Sequence, residues 1–220
     1  MIEPSESFPR QHARTRRFTC GAPRDVRVAD DGSRVLFLRS ASGDDPVNAL
    51  WCLDTETGLE RRVADPEALL VGVDSDGSQQ VVPAAELARR ERVRESGAGI
   101  VAYDALSDLS RVCFALDGRV YLVELAGSDG SDRVVEVPSS GDAFDPRLSP
   151  DGTEVAYVSG SSLRLTGAGG DRRIIGGTVP TVSWGSADFL AAEEMGRNRG
   201  HWWAPDGRRM LVCRVDTAPV

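Results

Sequence analysis

The sequence predicts an all-β chain: a partial β-propeller of about four blades of antiparallel four-stranded sheet, carrying a short inserted helix and an inserted double-Glu segment. Three observations predict it. A phrase recurs in which alternating residues lead into an Asp-Gly turn and then an apolar strand. Two of its copies, at Gly32 and Gly152, lie 120 positions apart, about three repeats of the roughly 40 residues common among propeller blades. Further strand–turn–strand pairs follow the copies, bringing the count to four strands per unit.

The first copy is Val26-Arg27-Val28-Ala29-Asp30-Asp31-Gly32, ahead of a strand at 34–39. Asp-Gly supplies the positive φ of a tight turn, and the flanking strands are apolar because they stack between neighbouring sheets. Strands at 49–54 and 59–64 then flank a Thr57-Gly58 turn. Residues 83–96 read as a helix, with Pro83 in the first turn, a Glu86–Arg90 pair at i,i+4, and Gly97 and Gly99 as stops. Its arginines Arg89, Arg90, Arg92 and Arg94 form either a solvated face or a surface for an acidic partner.

A worn copy that has lost its glycine, residues 101–110, precedes a strand at 111–116; strands at 119–125 and 134–137 complete that unit. Pro146-Arg147-Leu148-Ser149-Pro150-Asp151-Gly152 opens the next unit, with a strand at 154–158. The turn glycines Gly32 and Gly152 are 120 positions apart, about three repeats. The last copy, Trp202-Trp203-Ala204-Pro205-Asp206-Gly207 with a strand at 209–215, comes 55 positions after Gly152. The surplus points to an insertion, residues 189–199, placed before the last repeat.

A net charge of −8 disfavours nucleic acid and anionic membrane surfaces as partners. No stretch approaches the roughly 18 apolar residues of a membrane span, and residues 1–8 do not read as a secretory signal. Cys20, Cys52, Cys113 and Cys213 share no metal-ligand spacing, and the last three lie in apolar strands, where a buried free thiol is the simplest reading. These features imply a cytoplasmic protein without metal or cofactor.

No Gly-x-Ser-x-Gly nucleophile elbow occurs, His12 and His201 fall in no Ser/His/Asp order, and no phosphate loop is possible in a chain without lysine. No catalytic residue is therefore assigned. Glu193 and Glu194 remain, on a predicted helical turn. Adjacent carboxylates could grip a cation with several N–H donors, such as a peptide's free α-ammonium, or simply form a solvated face.

Ala192-Glu193-Glu194-Met195 followed by His201-Trp202-Trp203-Ala204-Pro205-Asp206-Gly207 resembles the double-glutamate motif of the dipeptidyl peptidase IV family and the Trp-Trp blade start downstream of it. The opening Ser7-Phe8-Pro9-Arg10-Gln11-His12-Ala13-Arg14-Thr15-Arg16-Arg17-Phe18-Thr19, the segment from Glu86 to Glu95 and Ser149-Pro150-Asp151-Gly152 resemble bacterial members. The resemblance implies that all of residues 1–220 form the N-terminal part of a propeller capping an α/β-hydrolase domain with a Ser/Asp/His triad. It also implies that Glu193 and Glu194 hold the substrate's N-terminal ammonium, so that dipeptides are released. The family's substrate-contacting arginine maps onto no particular Arg of this chain, and Cys20, Ala204 and Gly196 depart from the commoner family residues.

On this reading the chain is a substrate-gating portion of a serine exopeptidase, inactive alone. Its partners would be a peptide N-terminus and either the missing propeller half with its hydrolase domain or a second copy. The alternatives are a stand-alone propeller-type interaction module and a non-functional gene remnant.

Overall fold

The computed structural model describes residues 7–70, 98–126 and 131–218. The helix expected over 83–96 lies outside the described residues. Strand dominates, and the chain divides into two compact units, residues 1–73 with 96–101 and residues 74–95 with 102–220.

In the first unit, helix α1 (Phe8–Arg14) precedes strands β1 (Arg24–Val28), β2 (Arg34–Ser40), β3 (Val47–Asp54) and β4 (Glu60–Ala64). These pair antiparallel in chain order. Helix α2 (Pro66–Leu70) follows, and β5 (Ala98–Gly99) runs parallel to the start of β3. Leu36, Leu38, Leu50 and Cys52 alternate inward along β2 and β3 and are wholly buried, as a period of two requires.

The second unit repeats that plan. Strands β6 (Tyr103–Ala105), β7 (Arg111–Leu116), β8 (Arg119–Glu124) and β9 (Arg133–Val137) form one antiparallel sheet. Strands β10 (Ala143–Leu148), β11 (Glu154–Ser159), β12 (Ser162–Gly167) and β13 (Arg172–Gly176) form another. The β6–β9 and β10–β13 sheets meet face to face through Cys113, Val120, Ala143, Leu148, Val155 and Tyr157. On the other face of β10–β13, Phe144, Val158, Leu163 and Leu165 pack against Trp203, Met210 and Val212. Apolar faces covered on both sides explain why these strands read as near-continuous hydrophobic runs.

One hairpin opens every sheet, and its bonds repeat atom for atom. The N–H groups of Ala29, Leu106, Ser149 and Ala204 donate to the carbonyls five residues on, Arg34, Arg111, Glu154 and Arg209, at 2.8–3.0 Å. Asp31, Asp108, Asp151 and Asp206 each accept from the backbone N–H two residues on, at 2.9–3.1 Å. The residue between takes a left-handed conformation: Gly32, Gly152 and Gly207, but Leu109 at φ 56° in the worn copy. A side chain there costs about 1–2 kcal/mol. Leu109 is 1% exposed, and burying a leucine contributes about 1.5–3 kcal/mol in return. The turn survives its lost glycine because the replacement became core.

The last sheet departs from the plan. Strands β14 (Val182–Trp184) and β15 (His201–Trp203) are far apart in sequence, yet both pair antiparallel with one returning stretch made of β16 (Met210–Val212) and β17 (Arg214–Asp216). Val182 faces Asp216 and Trp184 faces Arg214; His201 faces Val212 and Trp203 faces Met210. Between them the Gly185 N–H donates to the Cys213 carbonyl at 3.0 Å, and the Cys213 N–H donates to the Gly200 carbonyl at 2.8 Å. Thus β14 and β15 are one strand, interrupted between Gly185 and Gly200 by a closed excursion. The insertion lies within the first strand of the repeat, not before it as the glycine spacing implied.

Candidate functional site

The excursion, residues 186–199, leaves and re-enters the sheet through two glycines. A Cβ on Gly200 would stand 2.3 Å from the Ser186 carbonyl carbon and 2.6 Å from that of Gly185. No side chain fits where the two limbs meet, and that contact lets the strand resume in register.

Helix α3 (Phe189–Glu193) forms at the outer end of the excursion. Asp188 caps it, its Oδ1 accepting the Ala191 N–H at 2.9 Å, which satisfies one of the donors a helix start leaves open. Ala191 and Ala192 are the buried face. Phe189, Leu190, Glu193 and Glu194 share the exposed face, as spacings of three and four residues dictate on a helix. The short helix read from the sequence is therefore present, with both glutamates at its C-terminal end.

Neither the Glu193 nor the Glu194 carboxylate has a hydrogen bond or ion pair with a described residue. Their place is electrostatically unfavourable: two adjacent like charges sit where the last carbonyls of a helix already concentrate negative charge. Nothing in helix stability calls for them. An incoming cation with several N–H donors would relieve the repulsion and find acceptors on two side chains.

Arg197 ties the returning limb down. Its N–H donates to the Ala191 carbonyl at 2.9 Å, Nη2 donates to Asp188 Oδ2 at 3.0 Å, and Nη1 lies 3.0 Å from Cys213 Sγ. Cys52 and Cys113 are fully buried free thiols, as expected; Cys213 is a correction, half-buried because it faces this guanidinium rather than a core. Burial pushes the Cys113 thiol well above its ordinary range, with Asp104 adding to the effect.

His201, the first residue of the resumed strand, is wholly buried. Its Nδ1 lies 2.9 Å from the Gly185 carbonyl, on the opposite limb, and 3.9 Å from Asp145 Oδ2. Its Nε2 has no partner among the described residues. Burial is the largest influence on the ring and pushes its pKa below the ordinary value, against the pull of Asp145. The ring is thus neutral, with Nδ1–H donating to the carbonyl. Behind it, Arg147 bonds Asp145 at 2.6 Å and lies 3.6 Å from Asp104. Burial works against the Arg147 charge, but the two carboxylates outweigh it and raise the guanidinium above its usual value. The His201–Gly185 bond closes the neck of the excursion, with Asp145 beside the ring. With no exposure of the ring and no serine among its hydrogen-bond partners, the His–Asp pair is not a nucleophile-activating dyad.

Sequence reasoning found Glu193 and Glu194 and missed what holds them: Asp188, Arg197, His201 and the glycine pair. The signal for Asp188 was present, since an acidic residue just ahead of an alanine-rich turn is a helix start. Gly185–Gly200 and His201–Gly185 are contacts across the neck and leave no local trace.

Among the described residues no helix is long and apolar enough to cross a membrane. Residues 102–220, just over half of the chain, match the family model described as the dipeptidyl peptidase IV (DPP IV) N-terminal region.

Proposed function

Because the chain belongs to the family of dipeptidyl peptidase IV N-terminal regions, we propose that it is the part of a serine exopeptidase's propeller that recognises a peptide's free N-terminus. On this reading each of its sheets, the interrupted one included, is a blade. Residues 1–101 lie outside the matched region. Their sheet has the same strand order and opens on the same Asp-anchored turn.

The observation that carries the proposal is the pair Glu193 and Glu194: exposed, unpaired among the described residues, and presented by an anchored excursion. Two carboxylates on one face match an α-ammonium with three N–H donors. Each such bond contributes about 1.5–3 kcal/mol. The rest of the propeller, or a second copy, and the hydrolase domain complete the enzyme; the chain alone turns over no substrate. A cytoplasmic setting agrees with four cysteines in the free thiol form.

The test is an NMR titration of the chain with alanyl-proline amide and with its N-acetyl derivative. The free amine should shift the signals of Glu193 and Glu194 and bind more tightly by roughly tenfold or more, a difference that either Glu→Gln change reduces. Equal response to the two ligands would overturn the assignment. It would leave the interaction-module reading, in which the glutamates are incidental.

A further inference from the structure

Arg197 is three residues from Glu194 and four from Glu193, close enough in sequence to neutralise them. It does not. Its Nη2 is bound to Asp188 Oδ2 and its Nη1 is turned to Cys213 Sγ on the paired strand. Asp188 meanwhile uses its other oxygen to cap the helix that carries the glutamates. One ion pair, 38% and 39% exposed on its two sides, thus joins the outgoing limb, the returning limb and the sheet.

We propose that Arg197 is a positioning residue for N-terminus recognition, acting through Asp188. It fixes helix α3 on the strand of Cys213, and its own charge is held away from the glutamates so that they stay open to a ligand ammonium. The proposal rests on the reading of Glu193 and Glu194 as that ammonium's acceptors.

Two consequences separate this role from general stabilisation. Without the guanidinium, the helix should loosen locally while the sheets stay intact. Without the Asp188 charge, Arg197 should become free to compete with the ligand at Glu193 and Glu194. Asn caps a helix about as well as Asp, so Asp188→Asn removes the ion pair and leaves the cap.

The experiment measures amide hydrogen exchange in the 220-residue chain and its titration with alanyl-proline amide and the N-acetyl derivative. Arg197→Gln should speed exchange at Ala191, Ala192 and Glu194 about tenfold and leave the amides of β7 and β11 unchanged. It should also weaken binding of the free amine and not of the acetylated ligand. Arg197→Lys, able to hold Asp188 but not Cys213 as well, should restore part of both effects. Asp188→Asn should lose the preference for the free amine even though its cap is kept, and the double change Asp188→Asn with Arg197→Gln should regain some of it. If Arg197→Gln does not fold, Asp188→Asn carries the test.

Unchanged exchange in helix α3, or acceleration spread evenly over residues 102–218, would overturn the role of Arg197. Absence of any free-amine preference in the unaltered chain would instead sink the ammonium reading, and the exchange result would show whether Arg197 still anchors the helix.

Discussion

The sheet β10–β13 and the sheet after it begin alike and then diverge. Both open on an Asp-anchored turn, at Asp151-Gly152 and at Asp206-Gly207, with the same bonds. In the first, β10 runs as one continuous strand from Ala143 to Leu148 beside β11, with a bulge between Phe144 and Arg147. In the second, the equivalent strand is cut at Gly185 and resumed at Gly200, and Cys213 bridges both ends from the partner strand. A repeat can therefore carry a 14-residue excursion without losing register, provided the two limbs can touch. The regular sheet is held by apolar burial spread over many residues. The interrupted one depends on a few polar and steric contacts at its neck.

That contrast fixes the order of expected effects. Gly200→Ala should be the most damaging single change. Its methyl would overlap backbone atoms of Ser186 and Gly185 that have nowhere to go, and overpacking of this kind costs about 3 kcal/mol. Gly207→Ala, whose Cβ would meet only Pro150 Cδ at 3.7 Å, should cost no more than the left-handed strain, about 1–2 kcal/mol. Urea midpoints for the two variants measure the difference. Equal losses would mean that the neck is no tighter than an ordinary turn.

Leu109→Gly probes the regular region. It relieves the positive φ but empties a buried site, and since cavity costs for leucine run to about 2–5 kcal/mol, the net should be a loss of about 2 kcal/mol. A gain in stability would show that the worn turn is strained rather than compensated by burial.

His201 should make the interrupted sheet sensitive to acid. Its pKa is lower folded than unfolded, so the unfolded chain takes up the proton first as the pH falls. The stabilisation is complete above the unfolded value of about 6.5 and is lost as the pH falls through the folded one. His201→Asn keeps a donor near Gly185 and removes the titration. Hydrogen exchange at Gly185 and Cys213, taken relative to the intrinsic rate at each pH, should then no longer quicken below pH 6.5. Persistence of the quickening in the variant would place the titrating group elsewhere.

The smallest effect belongs to the turns. Hydrogen bonds from the Ser149 hydroxyl and from Thr153 lower the Asp151 carboxyl to about 2. The stability it contributes is present above the unfolded carboxylate range and fades only as the pH drops from about 4 towards 2. Asp151→Asn, which lacks the carboxylate's contribution at neutral pH as well, should start slightly less stable there and flatten that part of the acid transition, read by circular dichroism.

How far the sequence carries can be read from particular elements. The strand expected at 111–116 coincides with β7, and those at 34–39, 119–125 and 154–158 agree with β2, β8 and β11 to within one residue. Apolar alternation and Asp-Gly turns are local, and the backbone obeys them locally. The single strand expected at 209–215 is instead split into β16 and β17 at Cys213. Helices α1 and α2 were not anticipated, and neither was β5, which exists only because residue 98 returns to Val47.

By itself, then, the sequence determined the sheet-building repeat, its turns, the surplus length after Gly152 and the acidic pair within that surplus. Each is written in neighbouring residues, through side-chain period and backbone φ preference. Tertiary structure decided the rest: that the surplus interrupts a strand, that Gly185 and Gly200 close it, and that Arg197 is bound by Asp188 and Cys213 while Glu193 and Glu194 stay exposed. Those outcomes depend on strand pairing between residues up to 34 positions apart, Val182 with Asp216. Which groups meet at such distances is set by the packing of the whole unit, so no local pattern encodes it.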